Sequence, residues 1–203
     1  MKFLLTSIFA VLLAANVVLS RPRSVDNQSD IPAEEYALYA VVIDQIFAGD
    51  RDSQGIVKTL VIVDRTISNP LPSIAGVDED EMVKRQFSSI SQEAIDDYAA
   101  KKANPCQLTK SFNLKMKYTL TSKEKIEQVF KNGQDGWGEF YKLFPDSGGV
   151  TELSRAGLNS SGNQALVYIQ HSCGYLCGSG YYLLLVKNDL GWVVQKKFMA
   201  WVS

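Results

Sequence analysis

The chain has few of the residues on which most hydrolytic and metal chemistry depends. Its 203 residues include one histidine, His171, and three cysteines, Cys106, Cys173 and Cys177. With a single imidazole, any histidine-dependent scheme must run through His171. There are no paired C-x2-C knuckles of the kind that most zinc modules bring. Paired catalytic carboxylates, a Ser/His/Asp set, a P-loop and a GxGxxG after a strand are all missing as recognisable patterns, so no cofactor is implied. Tandem repeats and low-complexity tracts are absent. After residue 20 no apolar run approaches the roughly 20 residues that cross a bilayer. Net charge is only −1, and the lysines come without arginines or interleaved aromatics, so no nucleic-acid partner is expected.

What is there begins with "MKFLLTSIFAVLLAANVVLSRPRS". Lys2 is a short positive region, Phe3 to Leu19 an apolar one, and Val18-Leu19-Ser20 ends in small or short side chains. This pattern reads as a secretory signal peptide over 1–20, cleaved after Ser20. The competing reading is an uncleaved anchor, for which the run is marginal in length and dotted with polar residues. No cysteine stands at the cleavage site to take a lipid, and no twin arginine precedes the run. The expected location is therefore secreted or periplasmic, with no membrane span after cleavage. Residues 21–32 read as a flexible new N-terminus. Residues 33–203 suffice for a single globular domain with a substantial core and are short for two.

Charge is uneven along that domain. Acids predominate from Asp30 to Asp97, with a run at Asp78-Glu79-Asp80-Glu81; lysines predominate from Lys101 to Lys131. Two solvated faces account for this, and a patch for an anionic partner is the sharper alternative.

"AEEYALYAVVIDQIFAG" places Tyr36, Tyr39, Ala40, Ile43, Ile46 and Phe47 at helical spacing, with Glu34 and Glu35 in the first turn and Gly49 at the exit. "VKTLVIVDRTI" is a strand ended by "SNPLP". Residues 78–104 form helix broken near "FSSISQ". "SFNLKMKYTL" alternates Phe112, Leu114, Met116 and Tyr118 as a half-buried strand. Thr121 and Glu124 make a capping box before "KIEQVFKNG", and "GWGEFYKLFP" carries an aromatic face of Trp137, Phe140, Tyr141 and Phe144. The last third is a four-strand β-meander: "VTELSRAGL", "QALVYIQHS", "YYLLLVK" and "WVVQKKFMAWVS", with "CGYLCGSG" a loop. Helices followed by consecutive hairpins predict an α+β fold whose helices pack on one face of an antiparallel sheet.

The densest chemistry is "YIQHSCGYLCGSGYY", Tyr168 to Tyr182. In an exported protein two cysteines on one loop point to a disulfide, Cys173–Cys177, or one of them to Cys106. A local bond closes so short a loop that the chain-entropy gain is roughly 2 kcal/mol. A zinc set of Cys106, His171, Cys173 and Cys177 is chemically acceptable but needs Cys106 from far away. A redox C-x3-C pair, or a Cys173 nucleophile with a base such as His171, are further alternatives. Arg155 could clamp an anion, against the plainer reading of an arginine on an exposed face leading to a turn. Asp64-Arg65-Thr66 ends a strand, where a satisfied ion pair is the plainer account. The aromatic face over Trp137–Phe144 could stack on a sugar, although such stripes are usually core. Asn27 and Asn159 begin glycosylation sequons.

"ELSRAGLNSSGNQALVYIQHSCGYLCGSGYYLLLVKNDLGWVV" resembles a type of exported bacterial protein of no known activity. There a Ser-Arg-x-Gly-x-Asn strand precedes an Ala-Leu-Val-Tyr strand, a Cys-Gly loop, a Gly-Tyr-Tyr strand and a Gly-x-Trp turn. The resemblance implies export and a compact domain, and brings no functional residue with it. The closing meander is also similar to the cone-shaped NTF2-like sheet. The expectation is thus a secreted binding module, meeting an extracytoplasmic ligand or protein through its sheet or through loop 173–180, with Arg155 and Tyr175 as contacts. The alternatives are a small exported hydrolase using His171 and a structural zinc domain.

Overall fold

The computed structural model describes residues 31–47, 58–68, 78–131 and 135–203. The proposed signal peptide, most of the N-terminal arm, Asn27, Gly49 and most of "SNPLP" lie outside the described residues. Within them the chain is α+β, as expected. It runs α1 (Ala33–Phe47), β1 (Thr59–Val63), α2 (Glu79–Gln86), α3 (Gln92–Lys102), β2 (Tyr118–Thr121), α4 (Lys123–Lys131), α5 (Gly136–Leu143), then β3 (Ser147–Leu153), β4 (Gly157–Leu158), β5 (Gln164–Gly174), β6 (Cys177–Asn188) and β7 (Gly191–Val202). No helix among the described residues is long and apolar enough to cross a membrane.

The strands form one seven-stranded sheet in the order β2-β1-β3-β5-β6-β7, with the short β4 beside β5. From β3 to β7 neighbours are antiparallel, which is the predicted meander. The expected antiparallel sheet is nevertheless mixed, because β1 lies parallel to both β2 and β3. Parallel neighbours need long crossovers, here supplied by the helical segments between them.

Helices on one face is the second expectation the structure corrects. Ala165, Val167, Ile169, Leu183 and Leu185 pack with α1 and with Leu60 and Ile62, while the alternate residues Leu166, Tyr168, Tyr182 and Leu184 pack with α2 and α3. Val61, Val63 and Val150 meet Phe140 of α5 on that second face. Side chains alternate across a strand, so the two sets lie on opposite faces. The unbroken apolar runs "ALVYI" and "YYLLLV" are the pattern of strands buried on both sides.

Caps and breaks follow local chemistry. Asp78 accepts from the backbone N–H of Asp80 and Glu81 at 3.0 and 3.2 Å, and Ser91 from that of Ala94 at 3.2 Å, satisfying amides a helix start leaves open. The acidic run is therefore a cap and first turn. At α4 the expected capping box gives way: Ser122 Oγ accepts from Lys125 N at 3.2 Å. Thr121 instead ends β2, buried, its Oγ1 without a hydrogen-bond partner among the described residues. "SFNLKMKYTL" is strand only from Tyr118; Phe112, Leu114 and Met116 fill the α1 core from an irregular segment.

Candidate functional site

Two places carry the site candidates on β5 and β6: the far end of their hairpin and a row of side chains across the sheet. The predicted loop 173–180 is strand. β5 runs to Gly174 and β6 starts at Cys177, so the turn is Tyr175-Leu176 alone. Cys173 and Cys177 are joined by a disulfide across it, their Cα atoms 5.0 Å apart. Tyr141 of α5 donates from its hydroxyl to the Cys173 carbonyl at 2.9 Å. Gly149 of β3 lies so close beneath that a Cβ would sit 2.2 Å from the Ser172 carbonyl, and its φ of +127° suits glycine. The hairpin end is thus held from three sides, while Tyr175 and Leu176 are 72% and 88% exposed.

His171 stands two residues before the disulfide. Its Nε2 faces the Gly148 carbonyl at 3.1 Å and its Nδ1 the Thr151 hydroxyl at 3.0 Å. A carbonyl only accepts, so Nε2 carries the proton and Nδ1 accepts from Thr151 in the neutral ring. The ring edge meets Phe47, centroids 5.0 Å apart. Both nitrogens are engaged, and the Cys173 sulfur is held in the disulfide and not available to this base as a thiol.

The zinc set does not assemble. Two of its four thiol and imidazole donors are spent in the disulfide, and Cys106 is buried in the α1 core. Among the described residues no group of His, Cys, Asp or Glu is arranged to hold a metal ion.

Arg155, chosen from sequence as an anion clamp, holds an internal carboxylate. It is 7% exposed and Glu35 of α1 is 2% exposed. Its Nε and Nη2 donate to Glu35 Oε1 and Oε2 at 2.9 and 3.0 Å, a bidentate pair, and Nη1 donates to Cys106 Sγ at 2.8 Å. Glu35 Oε1 also accepts from Tyr39 Oη at 2.6 Å and Ala156 N at 2.7 Å. Burial, with the nearby Glu35 charge second, pushes the Tyr39 phenol well above its ordinary range. The knot fastens α1 to the corner between β3 and β4 and leaves the arginine closed to solvent.

On the opposite face lies a row that sequence reasoning missed. Register sets Trp201, Gly180, Gln170 and Glu152 side by side on β7, β6, β5 and β3. A Cβ on Gly180 would fall 2.2 Å from Trp201 Nε1, and one on Gly178 would fall 3.0 Å from its Cζ3. The indole therefore lies lengthwise along two glycines. Its Nε1–H donates to Tyr168 Oη at 2.6 Å, Tyr168 Oη donates to Gln170 Oε1 at 3.1 Å, and Gln170 Nε2 donates to Glu152 Oε2 at 2.6 Å. All three bonds point from indole to carboxylate, so each polarises the next. Beside the row, Tyr182 and Lys102 both bond the Glu79 carboxylate. Burial is the main cause pushing the Tyr168 and Tyr182 phenols far above their usual range, so both donate as neutral hydroxyls. The one signal in sequence was Gly178-Ser-Gly180 together with a late Trp, unreadable without register.

The other candidates are structural. Thr66 Oγ1 accepts from Cys106 N at 2.9 Å, and Arg65 bridges to Gln107 along the backbone. Trp137, Phe140, Tyr141 and Phe144 pack into the core under α4 and α5. Asn159 uses its side chain to build a turn, accepting from Asn163 N and Gln164 N at 3.0 Å each and donating to Asn163 Oδ1 at 2.8 Å. Lysines 101, 115 and 131 pair with Asp97, Asp44 and Glu127 as solvated faces do, while the Lys102–Glu79 pair is mostly buried. Comparison of the chain with family models, with curated proteins and with solved structures finds no match in any of the three.

Proposed function

We propose that the protein is exported and works as a binding module, with the clasped hairpin end as its contact element. The observation that carries this is the pairing of extreme exposure with rigid support. Two large side chains, Tyr175 at 72% and Leu176 at 88%, stand on a two-residue turn closed by a disulfide. An apolar side chain left in water gains its burial only when a partner covers it. A turn already fixed loses little entropy on docking. The tip is convex, so it suits insertion into a partner protein's pocket and cannot enclose a small molecule. Aromatic anchors of this kind dominate interface energetics. The disulfide accords with an oxidising compartment, and the engaged ring of His171 favours binding over hydrolysis.

The test has an internal control, because Leu190 is also a leucine at a turn, 96% exposed at the opposite end of β6. A photo-crosslinking residue replaces Leu176 or Leu190 in the organism that makes the protein. One discrete adduct from position 176, none from 190, and its loss in a Tyr175→Ala background is the expected result. Equal adducts from both positions, or none from 176, would sink the proposal.

A further inference from the structure

We propose that the row Trp201–Gly180–Gln170–Glu152 is a binding site for a neutral saccharide, separate from the hairpin tip. Three observations point there. First, Trp201 is half-buried in an unusual way: one ring face is laid along Gly178 and Gly180, where any side chain would lift it, so its exposed area belongs to the other face and an edge. Second, the indole N–H is tied to Tyr168 Oη at 2.6 Å, which fixes the ring's rotation. Third, the hydrogen-bond chain that starts at the indole ends with capacity to spare. Among the described residues Glu152 Oε1 accepts no hydrogen bond and the second hydrogen of Gln170 Nε2 has no acceptor.

These three together describe a flat apolar plate with a donor and an acceptor farther along the same row. Strands stand about 4.8 Å apart, so the row spans about 14 Å from indole to carboxylate. That suits one sugar ring and part of its neighbour. A sugar ring offers a face of C–H bonds to the electron-rich indole face. Its hydroxyls both donate and accept, so one can donate to Glu152 Oε1 while another accepts from Gln170. A cation would suit the indole and carboxylate, but recognition of a quaternary ammonium uses a cage of aromatic faces, and here one indole stands beside an amide. The site lies between α2–α3 and α5 on their face of the sheet, which leaves the strand surface at Gln170 and Glu152 half-buried.

The experiment titrates the ¹⁵N-labelled protein with cellotriose, maltotriose, xylotriose and chitotriose, each to about 10 mM, ten times a millimolar Kd. Choline and adenosine serve as the cationic and planar aromatic probes. The expected result is saturable shifts of the Trp201 indole N–H and the Gln170 side-chain amide with at least one saccharide. Trp201→Ala should weaken that binding about tenfold, with Trp201→Phe milder. Glu152→Gln should weaken it severalfold, and Tyr175→Ala should leave it unchanged. If Trp201→Ala does not fold, Trp201→Phe and Glu152→Gln carry the decision. No shift with any of the four sugars overturns the proposal. So do shifts that survive Trp201→Ala, or shifts with choline or adenosine alone.

Discussion

The Glu35–Arg155 knot and the Trp201–Glu152 row sit on opposite faces of one sheet and are built from similar parts. Each has a carboxylate, a phenol and nitrogen donors linked within 3.1 Å. They differ in closure. In the knot one carboxylate takes four hydrogen bonds, and its three partners, Arg155, Tyr39 and Ala156, are all under a tenth exposed. In the row the last carboxylate takes one hydrogen bond among the described residues and leaves its other oxygen without one. Closure, and not residue type, separates a brace from a surface that can bind. The same arginine that would clamp a ligand anion at a cleft is consumed here by an anion of its own chain.

The largest expected effect tests the closed side. Arg155→Ala leaves Glu35 charged, buried and short of its partner, and should cost about 3–5 kcal/mol in urea unfolding. A loss under about 1 kcal/mol would mean that the knot is open to water and that the comparison fails.

Next comes alkaline pH, which probes both faces together. Burial is the leading cause raising the Tyr39, Tyr98, Tyr168 and Tyr182 phenols above 10.0. Unfolded tyrosines lose protons near that value, while these retain them in the fold. Their contribution is therefore complete below about pH 10 and declines as pH rises beyond it. Tyrosinate absorbance from these four should appear only with unfolding. Ionisation near pH 10 in a chain still folded by circular dichroism would contradict the assignment.

Removing the clasp by Cys173→Ala with Cys177→Ala should lower stability by about 2 kcal/mol, read as a lower Tm. A drop several times larger would make the disulfide a brace for the whole sheet rather than for the hairpin end.

Thr121→Val has the opposite sign. It removes a buried hydroxyl without a hydrogen-bond partner among the described residues and should stabilise by about 1 kcal/mol. A capping role would instead make it lose about that much, so the sign of the change in Tm decides. Smallest of all, Tyr175→Ala should move stability by less than about 0.5 kcal/mol. A greater loss would show that the tip packs against the domain.

Much of this architecture can be read from local pattern. Helix α1 follows from its apolar spacing, the gap between α2 and α3 from "FSSISQ", and the meander from turn signals at "SSGN" and "NDLG". What escaped depends on pairing between distant residues. Nothing local in "TLVIV" says that its neighbours are residues 118–121 and 147–151. Phe112, Leu114 and Met116 alternate as a strand would, yet they pack against the α1 core from a segment that pairs with no strand. The disulfide pair was legible from spacing, but the loop around it was not: Gly178 and Gly180, read as loop glycines, are strand positions that make room for an indole. Arg155 misled for a related reason, since its partner Glu35 is 120 residues away.

The parallel seat of β1 has a kinetic consequence. β3, β5, β6 and β7 pair with near neighbours in the chain and can zip up early. β1 must wait for Leu60 to find Tyr118 and for Val61 to find Val150, contacts that close long loops before they stabilise anything. Until then the meander exposes Val150 and the edge of β3, an open template for pairing with another chain. Pulse-labelled hydrogen exchange should find β5–β6 amides protected before those of β1. β2 joins the sheet through β1, so these two strands settle last together, and the chain's most vulnerable moment comes after most of it is already built.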